Sequence, residues 1–198
     1  NLRYMKLTIL PESIGNITHM KSLNLYGNQL TELPESLGQL TKLQILNLSG
    51  NKLTVLPESL GQLKNLQSLI VSFNRLTKLP DSLGNLTRLQ RLDVTNNQLS
   101  ALPESLGNLK KLRILYLSKN KLTELPDSLS NLVNIVNFWL GTSMGGNPLD
   151  TLPDWLFDLQ EIRELRAHSC QLHSLPSQIE KLNKLQTLGL SDNNLTDL

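Results

Sequence analysis

The prolines of this chain recur at a fixed spacing, which constrains the fold more than any other feature. From Pro11 to Pro126, six prolines follow one another at intervals of 23 residues. The interval from Pro153 to Pro176 is again 23 residues, whereas that from Pro126 to Pro153 is 27, which indicates four inserted residues. A repeat of this length predicts a stack of similar short structural units along the whole chain.

Each unit carries the same leucine pattern, L-x-x-L-x-L-x-x-N-x-L followed by x-x-L-P-x-x-L-G-x-L. The alternation in L-x-L is typical of a short strand with one buried face. The following P-E-S-L-G-x-L predicts a helix of a turn or two, with proline at its first position and an acid suited to its N-terminus. No unit can bury its leucines alone, so the units must stack. Eight of them can be traced, beginning at Met20, Leu43, Leu66, Leu89, Leu112, Ile135, Ile162 and Leu185.

The composition excludes several other classes of protein. Hydrophobic residues make up 39% of the 198 residues and the formal net charge is +2, which argues against intrinsic disorder, nucleic-acid binding and attraction to anionic membranes. No stretch approaches the roughly 18 consecutive apolar residues of a membrane span, so we expect no membrane insertion. With one cysteine, no intrachain disulfide can form.

The repeated pattern resembles the leucine-rich repeat family, in its Leu-Pro-containing class of 23 residues. The resemblance implies an α/β solenoid, or horseshoe, with a parallel β-sheet on the concave face and short helical or 3-10 turns on the convex face. We expect a single domain over residues 1–198, with a partial repeat at 1–11, eight further repeats, and the four-residue insertion within 141–146.

One asparagine of each unit falls in the same register, and the resemblance implies that this position forms a buried ladder. Its side-chain amides would bond the backbone groups that the turns leave unpaired. Cys170 occupies the same position and is interpreted as a small buried group rather than a nucleophile. His168 and His173 lie near it, but the three side chains should diverge, so we expect no metal site. The ladder residues are Asn28, Asn51, Asn74, Asn97, Asn120, Asn147, Cys170 and Asn193.

The variable positions of the strands should face solvent on the concave side, where partners of this family usually bind. Tryptophan, tyrosine and arginine, which dominate binding hot spots, gather there in units four to seven. Tyr116 and Trp139 would be apolar anchors; alternatively, they simply stack on each other across two strands. The arginines would supply directional contacts, and the acids would set partner choice. The predicted partner-binding residues are Arg91, Asp93, Arg113, Ile114, Tyr116, Asn137, Trp139, Glu164, Arg166 and His168.

The inserted segment 141–146 follows Trp139 closely in sequence. Its glycine-rich composition predicts a mobile loop, and insertions in solenoids often serve the binding face. The alternative is a neutral insertion without a role in binding.

These observations favour a non-catalytic module that binds a protein or peptide, in the manner of a scaffold or signalling protein. Phosphate-binding glycine loops and the common hydrolase motifs are absent, so we expect no cofactor and no catalytic residue. One alternative is the recognition arm of a larger enzyme, such as a kinase, GTPase or ubiquitin ligase; another is a structural spacer. The absence of disulfides favours the cytoplasm, with a secreted bacterial effector as the other possibility.

The two ends of the chain lack the capping units that terminal repeats need. Leu2 aligns with Leu25 inside a strand, and Leu198 aligns with Leu175, one residue before the next expected proline. We therefore expect the chain to be part of a longer protein, and the isolated segment to self-associate end to end through exposed leucines.

Overall fold

The computed structural model describes residues 1–196, so Leu198 and its alignment with Leu175 lie outside the described residues. Eight strands form one parallel sheet, in which each strand pairs with the next in the sequence. This sheet lines the concave face of a solenoid, which confirms the fold class expected from the repeat. The strands are β1 Ser22–Asn24, β2 Ile45–Asn47, β3 Ser68–Ile70, β4 Arg91–Asp93, β5 Ile114–Tyr116, β6 Asn137–Gly141, β7 Glu164–Ala167 and β8 Thr187–Gly189.

The convex side consists of 3-10 helices of five residues, one per repeat. Proline immediately precedes each helix instead of opening it; Pro103, for example, has φ −71° and ψ 141°, and the helix begins at Glu104. The sequence prediction of proline at the first helical position was therefore wrong by one residue. The helices span Glu12–Asn16, Glu35–Gln39, Glu58–Gln62, Asp81–Asn85, Glu104–Asn108, Asp127–Asn131, Asp154–Asp158 and Ser177–Lys181.

The glycine in most of these helices is required by packing between repeats. A Cβ atom placed on Gly107 would lie 2.4 Å from the backbone oxygen of Ser128 in the next repeat. Neighbouring helices therefore approach each other more closely than any other residue would permit, because glycine alone lacks a Cβ.

A continuous apolar core runs between the sheet and the helices. In β1 to β5 the central leucine of each strand points into this core, and Leu46, Leu69, Leu92 and Leu115 are fully buried in adjacent strands. The residues on either side of each central leucine consequently point out of the sheet. Among the described residues, no helix is long and apolar enough to cross a bilayer.

Candidate functional site

The strand register brings most of the predicted partner-binding residues into two adjacent rows on the concave face. The first row runs across β4 to β7 and contains Arg91, Ile114, Asn137 and Glu164. The second row contains, in the same strand order, Asp93, Tyr116, Trp139 and Arg166. Residues 23 or 27 positions apart in the chain thus become direct neighbours.

Four of these side chains form one continuous stack, which we call the Arg–aromatic stack. The rings of Tyr116 and Trp139 lie parallel, with centroids 3.9 Å apart and an interplanar angle of 15°. The guanidinium carbon of Arg166 lies 4.4 Å from the Trp139 ring centroid, and that of Arg91 lies 5.2 Å from the Tyr116 ring centroid. Because Arg91 and Arg166 come from the strands on opposite sides, both outer ring faces are covered by a cation.

Each arginine of the stack is also paired with a carboxylate on its own strand. Arg91 Nη2 lies 3.3 Å from Asp93 Oδ2, and Arg166 Nη2 lies 2.6 Å from Glu164 Oε1. Asp93 is only 8% exposed, and its Oδ1 also accepts a hydrogen bond from the backbone N–H of Thr95. The Asn137 side-chain amide donates a hydrogen bond to Glu164 Oε2. The acids therefore hold the arginines in place, and the two ion pairs together carry no net charge.

Burial in this cluster raises the pKa of the Tyr116 hydroxyl above its ordinary value of 10.0. Arg91 opposes the shift, whereas Glu164 and Asp93 add to it. Tyr116 is consequently a neutral hydrogen-bonding group at physiological pH.

Two of the predicted residues, Arg113 and His168, lie outside the two rows. Arg113 precedes β5 and lines a groove at the amino ends of the strands, together with Arg91, Ile114 and Asn137 of the first row. His168 follows β7, and its Nδ1 lies 2.7 Å from Ser191 Oγ. Sequence alignment of the repeats places His168 opposite Gly141, but the strand register pairs Gly141 with Ala167. A β-bulge between Trp139 and Gly141 causes this one-residue difference.

The inserted segment forms a turn that is closed by hydrogen bonds, while the mobility expected from its glycines stays a prediction. Thr142 and Gly145 exchange two backbone hydrogen bonds of 3.1 and 2.9 Å. A Cβ atom on Gly141 would lie 1.8 Å from the backbone oxygen of His168, so this glycine permits close packing against the next repeat. Composition alone could not distinguish glycine used for packing from glycine used for flexibility.

Phe73 and Met144 are two exposed apolar residues that sequence analysis did not select. Both line a groove of about 340 Å³ together with Tyr116 and Trp139, at the carboxyl ends of the strands. Phe73 was detectable in the sequence, because the equivalent positions of the two preceding repeats are Gly27 and Gly50.

The asparagine positions form a series of hydrogen bonds from repeat to repeat. The Asn97 side-chain amide donates to the backbone oxygens of Val71 and Val94, and its oxygen accepts from the N–H of Leu76. The same arrangement is present at Asn51, Asn74 and Asn120, and closely similar bonds form at Asn28, Asn147 and Asn193. Asn147 keeps its position in this series although four residues are inserted before it, because those residues form a turn that projects from β6.

Cys170 occupies the remaining position of the series. Its thiol is buried and lies 3.4 Å from the backbone oxygen of His168. Because cysteine lacks a side-chain oxygen, the Cys170 backbone carbonyl instead accepts a hydrogen bond from the N–H of Leu149. Burial raises the pKa of the Cys170 thiol from 9.0 to about 11. Within residues 1–196, no three His, Cys, Asp or Glu side chains converge as metal ligands would.

Comparison with known protein families agrees with this geometry. A profile described as "Leucine-rich repeat region" matches residues 6–100, and a second, described as "Leucine rich repeat", matches residues 87–140. The chain belongs to the leucine-rich repeat family. Both profiles describe leucine-rich repeats in general, so assignment to the 23-residue Leu-Pro class stays a prediction.

Several solved leucine-rich repeat structures resemble the whole chain. A leucine-rich repeat protein of Leptospira interrogans shares 27% identity over 98% of this chain and 60% of its own, with a TM-score of 0.68. The ectodomain of the membrane receptor kinase GASSHO1/SCHENGEN3 from Arabidopsis thaliana, solved with CASPARIAN STRIP INTEGRITY FACTOR 2, shares 30% identity over 94% of this chain and 26% of its own, with a TM-score of 0.69.

The Arabidopsis receptor kinase HAESA, solved with the peptide hormone IDA and the co-receptor SERK1, shares 27% identity. The match covers 98% of this chain and 39% of that one, with a TM-score of 0.73. This chain therefore spans between about a quarter and three-fifths of the length of these three proteins. No curated protein sequence is similar enough to this chain to count as a match.

Proposed function

We propose that this chain is a non-catalytic module that binds a protein or peptide on its concave face, centred on repeats four to seven. The Arg–aromatic stack is the observation that carries the proposal. It places two large aromatic rings and two partly exposed arginines side by side on the concave face, where they are not part of the apolar core. These residue types bury much area at low entropic cost when a partner covers them.

Two of the similar structures are receptor kinases that were solved with a bound peptide hormone or factor. They support a peptide or protein partner for this chain. The stack itself argues against a single-stranded nucleic acid, because bases bind by stacking on free aromatic faces, and here both outer faces are occupied.

A second candidate is a recognition arm within a larger enzyme whose catalytic domain lies outside these residues. The receptor kinases favour it, because in them repeats of this kind belong to a larger protein that is named as a kinase. This alternative changes what the module is joined to and leaves its binding face unchanged.

The test is affinity capture from a lysate of the source organism with the wild-type chain and with the double variant Trp139→Ala, Arg166→Glu. Loss of the stack should weaken capture at least about 30-fold, since hot-spot truncations cost roughly 2–4 kcal/mol each. Lys78→Glu is a matched charge reversal, because Lys78 lies beside Leu79 and Pro80 on the side of the 3-10 helices. Equal capture by wild type and double variant, both folded, would exclude this site.

A further inference from the structure

The groove between the Arg–aromatic stack and the inserted turn has an apolar rim. We call it the Phe73–Met144 groove, bounded by Phe73, Tyr116, Trp139 and Met144. Its volume of about 340 Å³ lies near the lower end of the roughly 300–1,000 Å³ typical of ligand pockets. The groove therefore has room for a few side chains and is too small for a folded domain.

Phe73 occupies a backbone conformation that favours glycine. Its φ is 55°, in the left-handed region, and the equivalent residues Gly27, Gly50, Asn96 and Lys119 share this conformation, with φ between 55° and 70°. A bulky residue in this conformation is strained. The side chain is 45% exposed, so packing in the core does not explain its presence. The left-handed conformation belongs to the repeat, and what Phe73 adds is a large, exposed apolar side chain at the edge of the groove.

Met144 faces the groove from the inserted turn and is 53% exposed. The turn is held by the two hydrogen bonds between Thr142 and Gly145, and Met144 N–H also donates to Thr142 Oγ1 at 3.3 Å. Because a methionine side chain adapts its shape to varied apolar surfaces, it suits a contact with more than one kind of apolar group.

The charges beside the groove are already neutralised within the protein. Asp93 pairs with Arg91, and Glu164 pairs with Arg166. A charged side chain entering the groove would gain no unpaired opposite charge and would lose its hydration. The uncharged part of the lining consists of the aromatic and apolar side chains together with three hydroxyl groups, those of Ser72, Thr95 and Thr142.

We infer that the Phe73–Met144 groove binds one large uncharged apolar side chain, leucine, methionine or phenylalanine, from an extended peptide segment of the partner. This inference rests on the proposed function and adds the chemical class of the bound residue. It also adds Phe73 and Met144 to the residues that determine specificity.

The probe is an immobilised library of capped octapeptides, pooled by the residue fixed at the central position. Wild-type chain should be retained by the leucine, methionine and phenylalanine pools about tenfold more than by the lysine and glutamate pools. Phe73→Gly, which suits the backbone, and Met144→Ala should each reduce this retention about tenfold. Ser143→Ala, an exposed change in the same turn, is the control and should bind as wild type.

Retention should change little between low and high salt, because no charged pair forms on binding. Strongest retention by a charged pool, or no preferential retention by the apolar pools, would overturn the inference. Binding by Phe73→Gly and Met144→Ala at the level of Ser143→Ala would also overturn it. If the Trp139→Ala, Arg166→Glu variant alone loses binding, this inference fails while the proposed function stands.

Discussion

The ring of Trp139 packs parallel to that of Tyr116 at a centroid distance of 3.9 Å, between adjacent strands of the sheet. A cross-strand pair of this kind stabilises the fold and also shapes the concave surface. The sequence allowed two interpretations of these rings, as anchors for a partner or as a pair that simply stacks. The structure is compatible with both, because rings that pack on each other can still contact a partner at their edges.

The energy of this stack can be measured by a double-mutant cycle of Tyr116→Leu and Trp139→Leu in urea unfolding. We expect a coupling of about 0.5–1.5 kcal/mol, because offset aromatic pairs contribute this much beyond burial. The control cycle combines Tyr116→Leu with Trp155→Phe on a 3-10 helix of the opposite side, where the effects should add. Additive effects in the Tyr116–Trp139 cycle would contradict a stabilising stack.

Replacement of a buried asparagine should lower the free energy of unfolding. Asn97→Ala removes two donated hydrogen bonds and leaves the N–H of Leu76 without its acceptor, so the free energy of unfolding should fall by about 1–3 kcal/mol. Gln98→Ala, at the adjacent exposed position, should change it by less than about 0.5 kcal/mol. If the two variants unfold at the same urea concentration, the buried amide does not stabilise the turns.

Stability should decline at alkaline pH because of Cys170. The unfolded thiol ionises at its ordinary pKa of 9.0, whereas burial raises the folded pKa to about 11. The proton is thus held more tightly in the folded state, and the contribution is complete below pH 9 and is lost as the pH rises toward 11. The loss should be on the order of 2 kcal/mol.

Other groups also titrate in this range, so the measurement is the difference in unfolding free energy between wild type and Cys170→Ala at pH 8 and pH 11. That difference should shift against the wild type at the higher pH. A constant difference would mean that the thiol ionises equally in both states.

The strain at Phe73 predicts an unusual order of stability. Phe73→Gly should be more stable than Phe73→Ala by about 1 kcal/mol, because both lose the ring but only alanine keeps a Cβ in the left-handed region. At Gln98, which lies outside that region, the order should reverse, with glycine the less stable. Thermal unfolding of the four variants would test this; the same order at both positions would mean that Phe73 is unstrained.

The solenoid and its solvent-facing rows could be predicted because they depend on periodicity alone. Alternation around Leu92 and Leu115 requires Asp93 and Tyr116 to point out of the sheet, and the constant spacing requires them to be neighbours. The β-bulge at Gly141 could not be predicted, since four extra residues can be accommodated at several points of a repeat. Neither could the turn around Met144, because its glycines fit packing and flexibility equally well.

The amino-acid sequence by itself determined that leucines of successive repeats share one core, because a regular apolar pattern buries completely in only one stacked arrangement. The tertiary structure alone decided that Arg91 and Arg166 pair with acids on their own strands and cover the aromatic rings. It alone also placed Phe73 and Met144 on one groove. A long arginine side chain can reach several acids and rings, and the positions of these groups in the folded chain determine which of them it contacts.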